Sequence, residues 1–375
     1  MKASVSQQQL ARGLGLVSRA VTPRNTLPVL ANVLVASDEG RLRLSATNLE
    51  LGISCWIGAQ IVEEGAITVP ARTFADLVNT LPNDTVMLTL NARTQTLTVH
   101  CGSSNTDIKG IDAQEFPPMP VPDLNDGIVM PVTDFKEMIQ QVAFAASTEE
   151  ARPVLQGVLT KVENGEIVLA ATDGFRISVR KALLGDPNAR PLTAIIPARA
   201  MAELARMISD GDSTVTMIVP PGRGQVLFHL KDAELVSQLI EGNFPDYRAI
   251  IPLKLKTHTT VSTAAFLKAC RQAEVIARDG NNTIRMNIEP HGDEPGVVEI
   301  SALSEETGSS DIKVDASVDG PGLLIAFNVR FLREVLDVVH TPNIILETNT
   351  NTSPALIRPA GNEDYTHVIM PMQLG

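Results

Sequence analysis

The amino-acid sequence predicts an α+β protein of three similar domains, each with two helices packed on antiparallel sheets. Three observations carry that reading. One short motif returns at intervals of about a third of the 375-residue chain. Helical and strand periodicities follow the same order within each third, and a turn signal recurs at the boundaries. The interval is far longer than the roughly 20 to 50 residues of a solenoid repeat, so each copy is large enough to enclose its own core.

The motif reads Val69-Pro70-Ala71-Arg72-Thr73-Phe74, then Ile196-Pro197-Ala198-Arg199-Ala200-Met201, then more loosely Phe327-Asn328-Val329-Arg330-Phe331-Leu332, with arginines 127 and 131 residues apart. Leu10, Phe135 and Phe266 mark an earlier helix in each copy, and Leu44–Asn48, Leu169–Asp173 and Ile300–Ser304 mark a strand running into a turn. Glu115-Phe116-Pro117 returns as Asn243-Phe244-Pro245. These spacings set expected boundaries at 1–125, 126–254 and 255–375.

In the first copy, Leu10, Leu14 and Val17 share one face of a helix expected over 6–20. Gly13 and Gly15 weaken that helix, so packing must hold it. A second helix over 72–81 stripes Phe74, Leu77, Val78 and Leu81 and stops at Pro82-Asn83-Asp84. Two or three strands are expected between the helices. Alternation in Met87–Leu90 and Thr96–His100 then predicts a hairpin around Asn91–Gln95, followed by a closing strand.

The second copy repeats this with helices over 133–147 and 198–209 and a hairpin of Thr214–Val219 with Gln225–Leu230. Pro221-Gly222-Arg223-Gly224 reads as its turn rather than as a phosphate cradle. The third copy has helices over 263–278 and 329–340 and a hairpin of Asn343–Glu347 with Ala355–Arg358. A row of three such domains leaves open strand edges at its ends, which are aggregation hazards unless covered. Head-to-tail pairing of two chains closes the row. Twelve helices side by side would then leave a bore on the order of 25 Å, wide enough for duplex DNA.

Composition is that of a soluble globular protein, 44% hydrophobic and 20% charged. Cys55, Cys101 and Cys270 have no metal-ligand spacing, which favours a reducing, cytoplasmic setting without disulfides. No apolar leader and no membrane-length apolar run occurs, so export and membrane insertion are not expected. The net charge of −12 argues on its face against a nucleic-acid partner, but the six expected helices sum to +4 and leave −16 elsewhere. The six histidines are scattered singly, and no nucleophile elbow, Walker A run or zinc-protease motif is present, so no enzyme activity and no cofactor are expected.

Arg24-Asn25-Thr26-Leu27-Pro28-Val29-Leu30, Ala171-Thr172-Asp173-Gly174-Phe175-Arg176, Glu241–Arg248 and the terminal Val368-Ile369-Met370-Pro371-Met372-Gln373-Leu374 together resemble the bacterial DNA polymerase III β subunit family, the replicative sliding clamps. The likeness spans the chain, and the four motifs stand in the family's order. It implies three clamp domains, a head-to-tail homodimeric ring around duplex DNA, and a processivity role without catalysis. Implied partners are the polymerase III catalytic subunit, a clamp loader, and other polymerases and repair proteins that dock through short peptide motifs.

The matching partner-pocket positions are Leu155, Thr172, Gly174, Phe175, Arg176, Ile177, Pro245, Ile250, Asn328, Phe331, Pro354, Val368, Met370, Pro371, Met372 and Leu374. Matching DNA contacts are Arg24, Arg72, Arg152 and Arg199, and the dimer edge falls at Ile108, Ile276, Glu305 and Glu306. Two departures bear on the pocket. Phe175 stands where histidine is frequent, and Gln373-Leu374-Gly375 replaces the usual Arg-Leu ending.

Read from the residues alone, the apolar terminal segment is either a core-closing strand or an adaptable methionine surface, and Thr172-Asp173-Gly174 is equally a hairpin turn. A repeat scaffold that binds only proteins would share the pocket but lack a basic bore. Weak, sequence-blind phosphate contacts and few aromatic residues (3%) suit encircling rather than gripping.

Overall fold

The computed structural model describes all residues except 23–26, 122, 210, 253, 293 and 374–375. Arg24 and Leu374 therefore lie outside the described residues. Among the described residues six α-helices form where periodicity places them: α1 Gln7–Val17, α2 Ala71–Thr80, α3 Val132–Val142, α4 Ala198–Met207, α5 Thr263–Ala277 and α6 Val329–Leu336. Capping accounts for several starts. Ser6, Ser262 and Asn328 accept from the backbone N–H of Gln9, Ala265 and Arg330 respectively.

The chain divides into two compact units, Met1–Asp134 with Glu203–Leu239, and Phe135–Ala202 with Ile240–Gly375. Each unit is organised by antiparallel sheets. The first holds a five-stranded sheet in the order Gln60–Glu63, Lys2–Ser6, Thr85–Asn91, Thr96–Cys101, Ser104–Lys109. It also holds a nine-stranded sheet that runs from Ile111–Asp112 through Leu51–Ile57 to Ile128–Pro131. The centre of that sheet is the pairing of Leu51–Ile57 with Ala233–Gln238, where the second repeat's closing strand completes the first repeat's sheet.

The second unit has one twelve-stranded sheet, and the same join recurs there as Arg176–Leu183 against Tyr365–Ile369. One difference between the third repeat and the first decides the number of sheets. Gly308–Asp319 runs unbroken and pairs with both Glu294–Ser304 and Thr257–Ser262, whereas Leu51–Ile57 and Gln60–Glu63 are parted by Gly58-Ala59. One sheet results where the first repeat has two.

The expectation of two or three strands between helices is corrected to five, four and four among the described residues. Some of these strands lack alternation. Leu51–Ile57 is buried at five consecutive positions, because an interior strand covered on both faces has no solvent side to mark.

Core packing follows the helical stripes. α5 buries Phe266, Ala269, Cys270, Ala273 and Ala277 at spacings of three and four, against Ile300, Phe327, Leu332 and Tyr365. Burying each large apolar side chain contributes about 1.5–3 kcal/mol. All three cysteines are free and buried, and burial pushes the Cys55 thiol up to about 12. No described helix is long and apolar enough to cross a membrane.

Candidate partner-peptide site and nucleic-acid interface

The rim of the candidate pocket is the turn between Glu166–Thr172 and Arg176–Leu183, and short polar side chains close it. Thr172 Oγ1 donates to the Arg176 carbonyl at 2.7 Å and accepts from Gly174 N–H at 3.0 Å. Asp173 Oδ1 accepts from Phe175 N–H at 2.9 Å and Arg176 N–H at 3.1 Å. Gly174 has φ +94°, a conformation that favours glycine. With its backbone so committed, the turn presents Phe175 outward, 58% exposed.

The terminal segment lies alongside. Val368 sits opposite Ile177 in the sheet, and Met370 N–H donates to the Phe175 carbonyl at 2.9 Å. Met372 N–H then donates to the Ala326 carbonyl at 2.8 Å, and Thr283 Oγ1 reaches Met372 Sδ at 3.4 Å. Beneath lies an apolar cluster of Leu159, Ile177, Tyr247, Leu356 and Val368. Tyr247 brings its neighbours Pro245 and Ile250, both exposed, while Pro354 leads into the strand that pairs with Val368. The terminus is thus both a closing strand and, from Met370 onward, part of a partly exposed apolar rim.

Arg176 is the buried cation of the site, with a side chain only 6% exposed. Nε donates to Asp173 Oδ2 at 3.0 Å, Nη1 to Glu334 Oε2 at 2.5 Å and Nη2 to the Phe144 carbonyl at 2.9 Å. The guanidinium stacks 4.3 Å from the Phe331 ring centroid and 5.2 Å from that of Phe144. Asn328 caps the helix that carries Phe331. Leu155 N–H bonds the Arg152 carbonyl, which places Leu155 one short turn from the rim. Sequence reading missed Glu334 and Phe144, because nothing local marks a helix-face carboxylate or a phenylalanine in the 3-10 turn Ala143–Ala145 as partners of a distant arginine.

Arg152, a sequence-predicted DNA contact, is held by Glu149 at 2.7 Å, and its Nη1 lies 3.2 Å from where a Cβ on Gly174 would be. It stands beside the pocket rim. Arg72 is 95% exposed with Asp76 at 3.7 Å, and Arg199 is exposed at the start of α4. Many other helical cations are already paired. Arg19 and Arg206 share Glu203, and Arg333 contacts Glu274 and Asp337 at 2.8 Å and Glu334 at 3.7 Å.

At the predicted dimer edge, Ile108 lies in Ser104–Lys109, the outer strand of the five-stranded sheet. Glu305 and Glu306 form the exposed turn before Gly308–Asp319, and Ile276 is half-buried near the end of α5. Val275 and Leu303, 60% and 73% exposed, extend the apolar surface there and were not singled out from sequence. Among the described residues there is no group of three or more His, Cys, Asp or Glu side chains placed to hold a metal.

Models of the DNA polymerase III beta subunit match in all three parts: the N-terminal domain at residues 1–120, the central domain at 129–246 and the C-terminal domain at 248–373. The chain belongs to the DNA polymerase III beta subunit family. The beta sliding clamp of Synechococcus elongatus is 36% identical over 379 residues, covering all of both chains, and that of Staphylococcus aureus is 31% identical over 383 residues, covering 100% of this chain and 99% of that one. The Bacillus subtilis DNA polymerase sliding clamp superposes with a TM-score of 0.93 at 29% identity over the whole of both chains. A Pseudomonas aeruginosa clamp bound to griselimycin gives 0.91 at 27%, again over both whole chains.

Proposed function

We propose that two copies of this chain close head to tail into a ring around duplex DNA and act as a processivity factor, tethering the replicative polymerase without catalysing a reaction. Family membership supports a clamp over a scaffold that binds proteins only. The observation that carries ring closure is the repeated join between repeats. Leu235 sits opposite Ile53, and His367 sits opposite Ser178. By hairpin register the same repeat positions are Thr106, opposite Val99, and Ser310, opposite Ala302. Those two have no such mate among the described residues, so Ser104–Lys109 of one protomer pairs with the Gly308 end of Gly308–Asp319 in its partner, Thr106 opposite Ser310.

In this reading the boundaries 1–125, 126–254 and 255–375 divide the three clamp domains. Ile108, Ile276, Glu305 and Glu306 belong to the interface, and Val275 and Leu303 join them. Arg72 and Arg199, with Arg24, supply phosphate contacts, and Arg152 belongs to the pocket rim. The pocket built on Thr172–Ile177 and Val368–Met372, completed by Leu155, Pro245, Ile250, Asn328, Phe331, Pro354 and Leu374, takes short peptides of the polymerase, the clamp loader and other DNA-processing partners in the cytoplasm. Loading onto nicked circular duplex tests the ring. The protein stays on the circle and is lost when the DNA is cut, whereas equal retention on linear DNA removes the encircling role.

A further inference from the structure

Glu334 divides its two carboxylate oxygens between unlike partners. Oε1 accepts from Arg330 Nε at 2.8 Å, on the exposed face of α6, and Oε2 accepts from the buried Arg176 Nη1 at 2.5 Å. Burial draws the Glu334 carboxyl up, but the hydrogen bonds from Arg330 and Arg176 outweigh it and leave the group below its ordinary value. It stays ionised beside Arg176.

Arg176 in turn joins two parts of the pocket wall. Its Nε holds Asp173, whose other oxygen closes the rim turn, and its guanidinium face lies on the Phe331 ring. A guanidinium this deeply covered is tolerated only while its donors are matched by carboxylates and carbonyls, since loss of one partner leaves a buried charge uncompensated. Glu334 itself lies on α6, and it is through Arg176 that it reaches the turn.

We propose that Glu334 is a positioning residue of the partner-peptide pocket, acting through Arg176 to hold the Thr172–Arg176 turn and the Phe331 ring in binding geometry. The inference rests on the pocket reading given above. A carboxylate on α6 thereby sets a rim turn that lies on another element.

Calorimetric titration of the full-length protein with a short docking peptide of the polymerase III catalytic subunit, the occupant proposed above for this pocket, provides the test. Glu334→Ala weakens binding at least tenfold, and Glu334→Gln, which keeps an oxygen for Arg176, stays within about threefold. Arg330→Ala leaves affinity unchanged. Arg176→Ala, which leaves Glu334 its Arg330 partner, shows the same loss as Glu334→Ala, and adding Glu334→Ala to it changes nothing more. Wild-type affinity in Glu334→Ala, or an additive loss in the double variant, overturns the proposal. If truncation at Met370 also leaves binding unchanged, the pocket reading fails with it; if truncation abolishes binding, only the role of Glu334 fails.

Discussion

Ser178 Oγ lies 2.7 Å from His367 Nδ1 at the join between Arg176–Leu183 and Tyr365–Ile369, and both side chains are fully buried. The Phe144 ring stacks on the imidazole at 5.7 Å between centroids. Burial, with the Arg176 charge adding to it, lowers the His367 pKa to about 3. The ring is neutral in the folded protein.

This neutrality predicts an acid dependence of stability. Below its ordinary value of 6.5 the unfolded chain takes up a proton that the folded chain refuses until about pH 3. Stability therefore falls as pH drops through that window, by up to about 1.4 kcal/mol per pH unit from this group. Denaturant unfolding of the wild type and of His367→Gln at pH 7.0 and 5.0 (about two units apart) checks this: the variant loses less stability than the wild type on acidification.

The two glycines of α1 should respond oppositely to alanine. A Cβ on Gly13 would meet Leu44 Cδ1 at 2.8 Å and Ile57 Cγ2 at 3.3 Å, whereas nothing lies within 4 Å of one on Gly15. Gly15→Ala gains helix propensity and raises stability by about 0.5–1 kcal/mol. Gly13→Ala loses about 1 kcal/mol or more to overpacking, net of the same propensity gain. Thermal melts of the two variants separate the effects.

The ring register is open to covalent capture. In the join between Leu51–Ile57 and Ala233–Gln238, hydrogen bonds fall at Trp56 with Asp232 and at Glu50 with Gln238, so Ile53 and Leu235 form a non-hydrogen-bonded pair. Such pairs bring Cα atoms to about 4.5 Å, within disulfide reach. Oxidised Thr106→Cys/Ser310→Cys should give a covalent dimer, and the neighbouring Thr106→Cys/Ser309→Cys should not. The native cysteines are buried and do not compete.

Phe175 is exposed on the surface. Replacing it with serine should weaken partner-peptide binding several-fold in fluorescence anisotropy while leaving the melting temperature within about 1 °C, because exposed substitutions away from structural contacts change stability little. Removing residues 370–375 should abolish binding and leave the dimer intact by sedimentation.

The helices were legible because their apolar stripes keep a 3.6-residue period and face a single core. The hairpins were legible through alternation around Asn91–Gln95 and Pro220–Gly224. Leu51–Ile57 was not, since burial on both faces erases the alternation that marks a strand. At the pocket, Thr172–Arg176 and the methionine tail stand out as motifs. Glu334 and Phe144 do not, because they are tied to Arg176 only through the fold, 158 and 32 residues away.

The second and third repeats each lend their last strand to the sheet of the one before, as Ala233–Gln238 does for Leu51–Ile57 and Tyr365–Ile369 for Arg176–Leu183. A chain built by that rule always finishes with one lending end and one borrowing end, however many copies it contains. Duplication or loss of a copy would leave the adhesive chemistry untouched, and the number of copies in a closed circle would be decided by the angle turned at each junction. The strands in the middle of the chain, shared between two sheets, would find no complete sheet if expressed alone.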